Sequence, residues 1–392
     1  MGGSAVTTRM RQELDTMRHQ GTYKHLRTLT GASGPHVDVE GSGDILLFCA
    51  NNYLGLAAHP EVIRAGQEAL ARYGAGPASV RFICGTLDIH SELEDALARW
   101  LGKEKALLYG SCWNANEGLM PALVGEGDVI LSDALNHASI IDACRLVRGA
   151  ERQVYRHADM ADLEDKLRAN AGARARVIVT DGVFSMEGDL APLPEITDLA
   201  RRYDALVVMD DSHGHGVLGR TGRGTAEHFG VSVDVVTGTL GKALGGASGG
   251  FVAGPAVVID YLVQRSRPQL FSNALPPAVA GSALAALGIL EREPERVQRL
   301  HDNAAFLRKG LAEIGFSPLP GASAIIPVIV GETATAIAWS ERLFQEGVYV
   351  VGFGYPVVPE GAARLRLQAS AAHTPQDLER ALSAFQRLRP DR

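Results

Sequence analysis

The chain has 392 residues, a net charge of −7 and four scattered cysteines, Cys49, Cys84, Cys112 and Cys144, with no C-x-x-C pair. That length allows a large domain plus a smaller one. The acidic balance argues against a nucleic-acid binder, which normally shows a basic face, and the cysteine spacing argues against a zinc or disulfide framework. No run of 18 apolar residues or signal-type start is present, so a soluble, cytoplasmic protein without membrane association is expected.

Residues 1–55 read as an N-terminal arm and helix. Met10, Leu14 and Met17 recur at helical spacing in a polar context, a stripe too narrow for a core and suited to packing on another surface, such as a partner subunit. Ile45–Ala50 (ILLFCA) reads as a strand, followed by the turn residues Asn51 and Asn52, whose amides can also serve a site.

Residues 56–290 form the expected large domain. His59-Pro60 opens a helix to about Tyr73, with proline in the first turn where its missing N–H costs nothing. Gly74–Thr86 reads as a long functional loop. Ser91 and Glu94 predict a capping box for a helix ending at Leu101. Short apolar runs then alternate with helical segments: Ala106–Tyr109, Val129–Ser132, Val177–Thr180, Ala205–Met209, Val233–Thr237 and Gly249–Gly254. This pattern predicts an α/β fold with a mostly parallel sheet covered on both faces. Ligands of such sheets lie beyond the carboxyl ends of the strands. Ser111, His137, Ser185, Asp210, His213 and Lys242 all follow strand patterns there.

Residues 291–392 read as a small α+β domain. A charged helical stretch precedes strands at Ile325–Gly331, Val348–Phe353 and Arg364–Ser370, and a helix runs from about Pro375 to Leu388.

Lys242 sits in TGTLGKALGGASGG (Thr237–Gly250), where glycines offer its stem nothing to cover. A phosphate-binding P-loop fails, because Val236 stands where its first glycine is needed and Ala243 follows the lysine. G-x-G-x-x-G is not met either. A Schiff-base lysine for pyridoxal phosphate (PLP) and a plain glycine-rich loop remain. PLP needs a carboxylate for its pyridine nitrogen, donors for its phosphate and phenolic oxygen, and a planar neighbour. Asp210 suits the first need or a plain helix cap; Ser111, Cys112 and Trp113 suit the phosphate or a plain N-cap. His213 could donate to the phenolic oxygen and His137 could stack, or both could be structural.

Several long ordered segments decide between these readings: CANNYLGLA, ASVRFICGT, SDALNHASIIDACRL, TDGVFSMEGDLAPL, DDSH, TGTLGKALGGASGG, RSRPQLFSNALPP, YPVVPEGAARLR and SAAHTP. Over essentially its whole length the chain resembles the α-oxoamine synthases, PLP enzymes of fold type I. The resemblance implies that Lys242 carries the cofactor and moves protons at the substrate Cα, and that Asp210 pairs with the pyridine nitrogen. It implies His213 and Ser185 at the phenolic oxygen, and His137 stacked on the ring and helping to polarise the acyl carbonyl. Ser111, Cys112, Trp113 and Thr239 would hold the phosphate, with Ser272 reaching it from the neighbouring subunit of a homodimer. Arg366, in preference to Arg364, would grip the amino-acid carboxylate with Asn51.

The implied reaction is condensation of an amino acid with an acyl-CoA, by default glycine and acetyl-CoA. Another amino acid, a carrier-protein thioester, or a catalytically silent subunit are the alternatives. The chain departs from the family pattern at SHGHGVLG, where His215 replaces a small aliphatic residue. Either His215 turns away from the site or it adds a polar group beside the cofactor. Pro77, Ala274, FGYPVV and RLRLQAS depart as well.

Overall fold

The computed structural model describes residues 4–388. Its centre is a seven-stranded sheet of β3 (Lys105–Tyr109), β4 (Val129–Asp133), β5 (Glu151–Tyr155), β6 (Arg176–Asp181), β7 (Ala205–Asp210), β8 (Val235–Thr239) and β9 (Gly250–Gly254). Their spatial order is β3-β9-β8-β7-β6-β4-β5. Only β9 runs against the others.

The period-2 alternation of strands places Val177 and Val179 of β6 in one hydrophobic cluster with Leu119, Ile140 and Val208, while Ile178 joins Leu163, Ile196 and Met209 on the opposite face. Helices therefore cover both faces, each fully buried aliphatic side chain contributing roughly 1.5–3 kcal/mol. The sheet's edge strand β5 was not anticipated. Its burial pattern is mostly exposed, because a polar edge strand carries no apolar run.

Two smaller sheets involve the chain ends. β1 (His36–Val39) pairs antiparallel with β2 (Gly43–Leu47), which pairs in parallel with β11 (Val348–Tyr349). β10 (Ile325–Gly331) and β12 (Val351–Phe353) flank β13 (Ala363–Gln368), both antiparallel to it. The expected single strand Val348–Phe353 is thus split at Val350 between two sheets. The turn after β2 is pinned to β13 by Gln368 N–H donating to Phe48 O (2.8 Å) and Ala371 N–H donating to Tyr53 O (2.7 Å).

The helix Asp88–Leu101 begins a turn before the expected capping box. Leu87 N–H donates to Nδ1 of buried His90 (3.1 Å), and Glu94 is drawn away by two bonds from Arg81 (2.8 and 2.9 Å) and one from Leu108 N–H (2.9 Å). A carboxylate offered a bidentate guanidinium gains more than it would from a cap. Gly74–Thr86 is irregular apart from one wide helical turn at Arg81–Gly85. The N-terminal helix Ala5–His19 buries no residue, and Met10, Leu14 and Met17 are exposed. No helix among the described residues is long and apolar enough to cross a membrane.

Candidate active site

A cavity of about 220 Å³ lies beyond the carboxyl ends of the parallel strands. Ser111, Cys112, Trp113, His137, Ser185, Asp210, His213, Thr239 and Lys242 line it, together with Ser139, Asp181 and Ser212. Sequence order scattered these groups over some 130 residues; parallel strands bring their ends to one rim.

The glycine run around Lys242 has a packing cause. β9 begins at Gly250 against the start of the helix Cys112–Leu123, where a Cβ would collide with the backbone of Ser111 and Cys112. Gly249 before it has φ +98°, a left-handed conformation that side chains disfavour. Ser111 caps the helix, its Oγ accepting from Asn114 N–H (3.1 Å). The first N–H groups of this helix border the cavity, an arrangement suited to a phosphate.

Lys242 has no hydrogen-bond or ion-pair partner among the described residues, although it borders buried Asp210. Burial lowers its pKa to about 8, against the raising effect of Asp210. Asp210 stays ionised: burial pushes its pKa up, but Ser212, Asn116 and Lys242 outweigh that and hold it below the usual carboxylate range. Asn116 Nδ2 donates to Asp210 Oδ2 (2.7 Å) and Thr237 Oγ1 donates to Asn116 Oδ1 (2.9 Å). Burial raises the Cys112 thiol and Asp210 raises it further, so it stays protonated, donating to Asp210 Oδ2 (3.5 Å).

Both cavity histidines are neutral at physiological pH. Burial lowers His213 well below its ordinary value, helped by Lys242 and Arg366, and burial also lowers His137. His137 caps the helix Ala138–Leu146 through Nδ1, which accepts from Ser139 N–H (3.2 Å). Its ring meets Trp113 edge-on, 6.0 Å between centroids.

Arg366 and Asn51 do not line this cavity but join its border. Arg366 Nη1 donates to Ser185 O (2.7 Å). With the Gln368 amide oxygen turned towards it, Gln368 accepts from Arg366 Nε (3.1 Å) and Nη2 (2.6 Å). Asn51 Oδ1 lies 3.3 Å from the Tyr53 hydroxyl. No carboxylate pairs with Arg366 among the described residues, whereas Arg364 donates to Glu187 Oε1 (3.0 Å) and Met186 O (2.9 Å). Of the two arginines, Arg364 is thus ion-paired and Arg366 is held by neutral acceptors only.

Ser272 lies outside the cavity at the end of the helix Arg267–Phe271, beside Phe271, which is 72% exposed. His215 does not line the cavity. It is buried between Trp100 and Phe251, centroids 5.5 Å from each, with Asp211 Oδ2 3.8 Å from Nε2. Adjacent residues on a tight turn face opposite sides, so Asp210 serves the cavity while Asp211 accepts from Thr225 N–H (2.7 Å) and Oγ1 (2.6 Å) behind it.

Asn116, Asp181 and Tyr53 were not anticipated as site groups. Asn116 gave one signal, a polar residue between Ala115 and Leu119 on a buried helix face.

A lysine facing a buried aspartate at the strand ends of a mostly parallel sheet, beside a helix N-terminus, defines a site of the fold type I PLP kind. The unpartnered Lys242 and the ionised Asp210 fit that cofactor's two demands on the protein.

Comparison with known proteins agrees. Residues 43–385 match the family model for aminotransferase class I and II. The human mitochondrial 2-amino-3-ketobutyrate coenzyme A ligase is 51% identical over 95% of this chain and 90% of its own. The Escherichia coli K12 enzyme of that name is 50% identical over 96% and 95%. A solved SPT structure with PLP as internal aldimine superposes with TM-score 0.92 at 32% identity, covering 98% of each chain. The chain belongs to the aminotransferase class I and II family, in its α-oxoamine synthase branch.

Proposed function

We propose that the protein is a PLP-dependent C-acyltransferase that joins glycine to the acetyl group of acetyl-CoA, giving 2-amino-3-ketobutyrate and free CoA. The convergence of Lys242, Asp210, His137 and His213 on one cavity carries this reading. The half-identity to two ligases named for that product supports the choice of substrates.

Bound PLP supplies an electron sink for negative charge at the amino-acid Cα. The chain's own groups supply the rest. Lys242 would hold the cofactor, and its amine, with a pKa of about 8, suits it to taking and returning the Cα proton. Asp210 would face the pyridine nitrogen as an anion. Neutral His213 and Ser185 would address the phenolic oxygen, and His137 would cover the ring and reach the acyl carbonyl. The N-terminal N–H groups of the helix after Ser111, with Thr239, would take the phosphate. Arg366 and Asn51 would orient the glycine carboxylate.

Ser272 would complete the phosphate site of a second copy, making the protein a homodimer. The exposed Phe82, Ile83 and Phe271 beside Gly85 and Asn273 support this, because Val80 bridges Asn273 and gathers these apolar groups on one surface.

A panel of glycine, alanine, serine and threonine against acyl-CoAs and carrier-protein thioesters tests the reading by thiol release and product mass. Glycine with acetyl-CoA should react fastest and retain the carboxylate. Preference for a carrier-protein thioester, or release of CO2, would reject it.

A further inference from the structure

Asp181 is a buried carboxyl that the proposed reaction leaves unused. It ends β6 in register with Asp210 at the end of β7, and both line the same cavity. Asp181 Oδ2 accepts from the backbone N–H of His137 (2.6 Å), and its own N–H donates to Asn136 Oδ1 (2.8 Å). No cationic side chain pairs with Asp181 among the described residues.

The titratable groups around it leave it no counter-charge of its own. From β7 comes Asp210, from the loop after β8 Lys242, from the end of β4 Asp133, from β5 Tyr155, and from the helix start His137. Asp133 is already engaged by His157 (2.9 Å), and His137 is neutral. One ammonium thus faces two carboxyls on adjacent strand ends. Two such groups cannot both ionise cheaply, and the better hydrogen-bonded one keeps the charge. Asp210 receives bonds from Asn116 and Ser212 N–H (2.9 Å), whereas Asp181 receives one backbone N–H.

We propose that Asp181 is a proton-bearing positioning residue of this site: its Oδ2 fixes the backbone at His137, and its neutral carboxyl leaves Asp210 the single anion facing Lys242. The proton sits on Oδ1, because Oδ2 is occupied as an acceptor. Burial, then Asp210, push its pKa well above the usual carboxylate range, in the direction this assignment requires. The role of His137 in the proposal rests on the PLP reading, but the proton on Asp181 does not.

The test compares the protein as purified with D181N and D181A. Infrared spectroscopy at pH 7 should show a protonated-carboxyl C=O band in the wild type that D181N diminishes; Asp211, also pushed up by burial, accounts for any remainder. A wild type with no such band at pH 7 overturns the proposal whether or not any variant folds, as does an undiminished band in folded D181N. In thiol release, D181A should lower kcat about tenfold, the scale of one lost hydrogen bond. D181N should rescue it to within about threefold, since an amide accepts at one atom and donates at the other as a carboxylic acid does. A folded D181N as impaired as D181A would show that a carboxylate charge is needed and reject the assignment. The infrared result stands apart from substrates, so failure of the glycine–acetyl-CoA reading is distinguishable.

Discussion

The hydroxyl of Tyr53 lies 2.8 Å from Nδ1 of His213, joining the turn after β2 to the turn after β7. Both groups are buried, and burial raises the phenol while lowering the imidazole well below its ordinary value, so the contact is between neutral partners. The phenol has one hydrogen; given to Nδ1 across the shorter distance, and not to Asn51 Oδ1 at 3.3 Å, it places the ring proton on Nε2. That tautomer makes His213 a donor on its other edge.

Replacing Tyr53 with Phe should release the tautomer without opening a large cavity. The absorbance of the bound cofactor should shift, and kcat/KM should fall about tenfold, the worth of roughly one hydrogen bond. An unchanged spectrum would detach Tyr53 from the site.

The two arginines of β13 should separate by readout. Arg366→Ala removes a guanidinium that has no carboxylate partner among the described residues, so KM for glycine should rise about 10- to 100-fold while cofactor colour persists. Arg364→Ala breaks an ion pair whose arginine is 4% exposed, so it should cost about 1–3 kcal/mol of stability instead. A glycine KM effect confined to R364A would exchange their roles.

Lys242 should be chemically distinct in cofactor-free protein. Burial pulls its pKa to about 8, so its modification by an amine-acylating reagent should rise through that pH, below the range of a lysine in a model peptide, about 10.4. In the loaded protein, borohydride should leave the cofactor attached to the peptide containing Lys242. K242A should lose this adduct and at least about a hundredfold in turnover.

His157 supports the loops that frame the site, bonding Asp133 (2.9 Å) and Asp189 (2.8 Å) with its ring edge-on to Phe184. Burial alone would lower its pKa, but the two carboxylates outweigh burial and raise it to about 10. A group raised in the folded state stabilises fully below its unfolded pKa, about 6.5. That contribution is lost as pH rises through about 10. Melting temperature should therefore fall across this window, and His157→Asn should flatten the fall.

Much of the fold was legible because each parallel strand is a short apolar run buried on both faces, as in Val129–Asp133. The candidates at those strand ends were legible for the same reason. A polar residue that ends such a run must face a ligand or a buried partner. The edge strand Glu151–Tyr155 and the split at Val350 were not, since both depend on which neighbour supplies the hydrogen bonds.

By itself the sequence determined the α/β order, the strand ends and the identity of Lys242, Asp210, His137 and His213 as the groups to watch, because period and burial are local properties. Tertiary structure decided what lies across from each. It engaged Arg364 with Glu187 and left Arg366 without a carboxylate, and it turned His215 behind the sheet. It also set Asp181 beside Asp210. Charge, protonation and freedom to bind are set by neighbours distant in the chain, and those exist only once the strands are side by side.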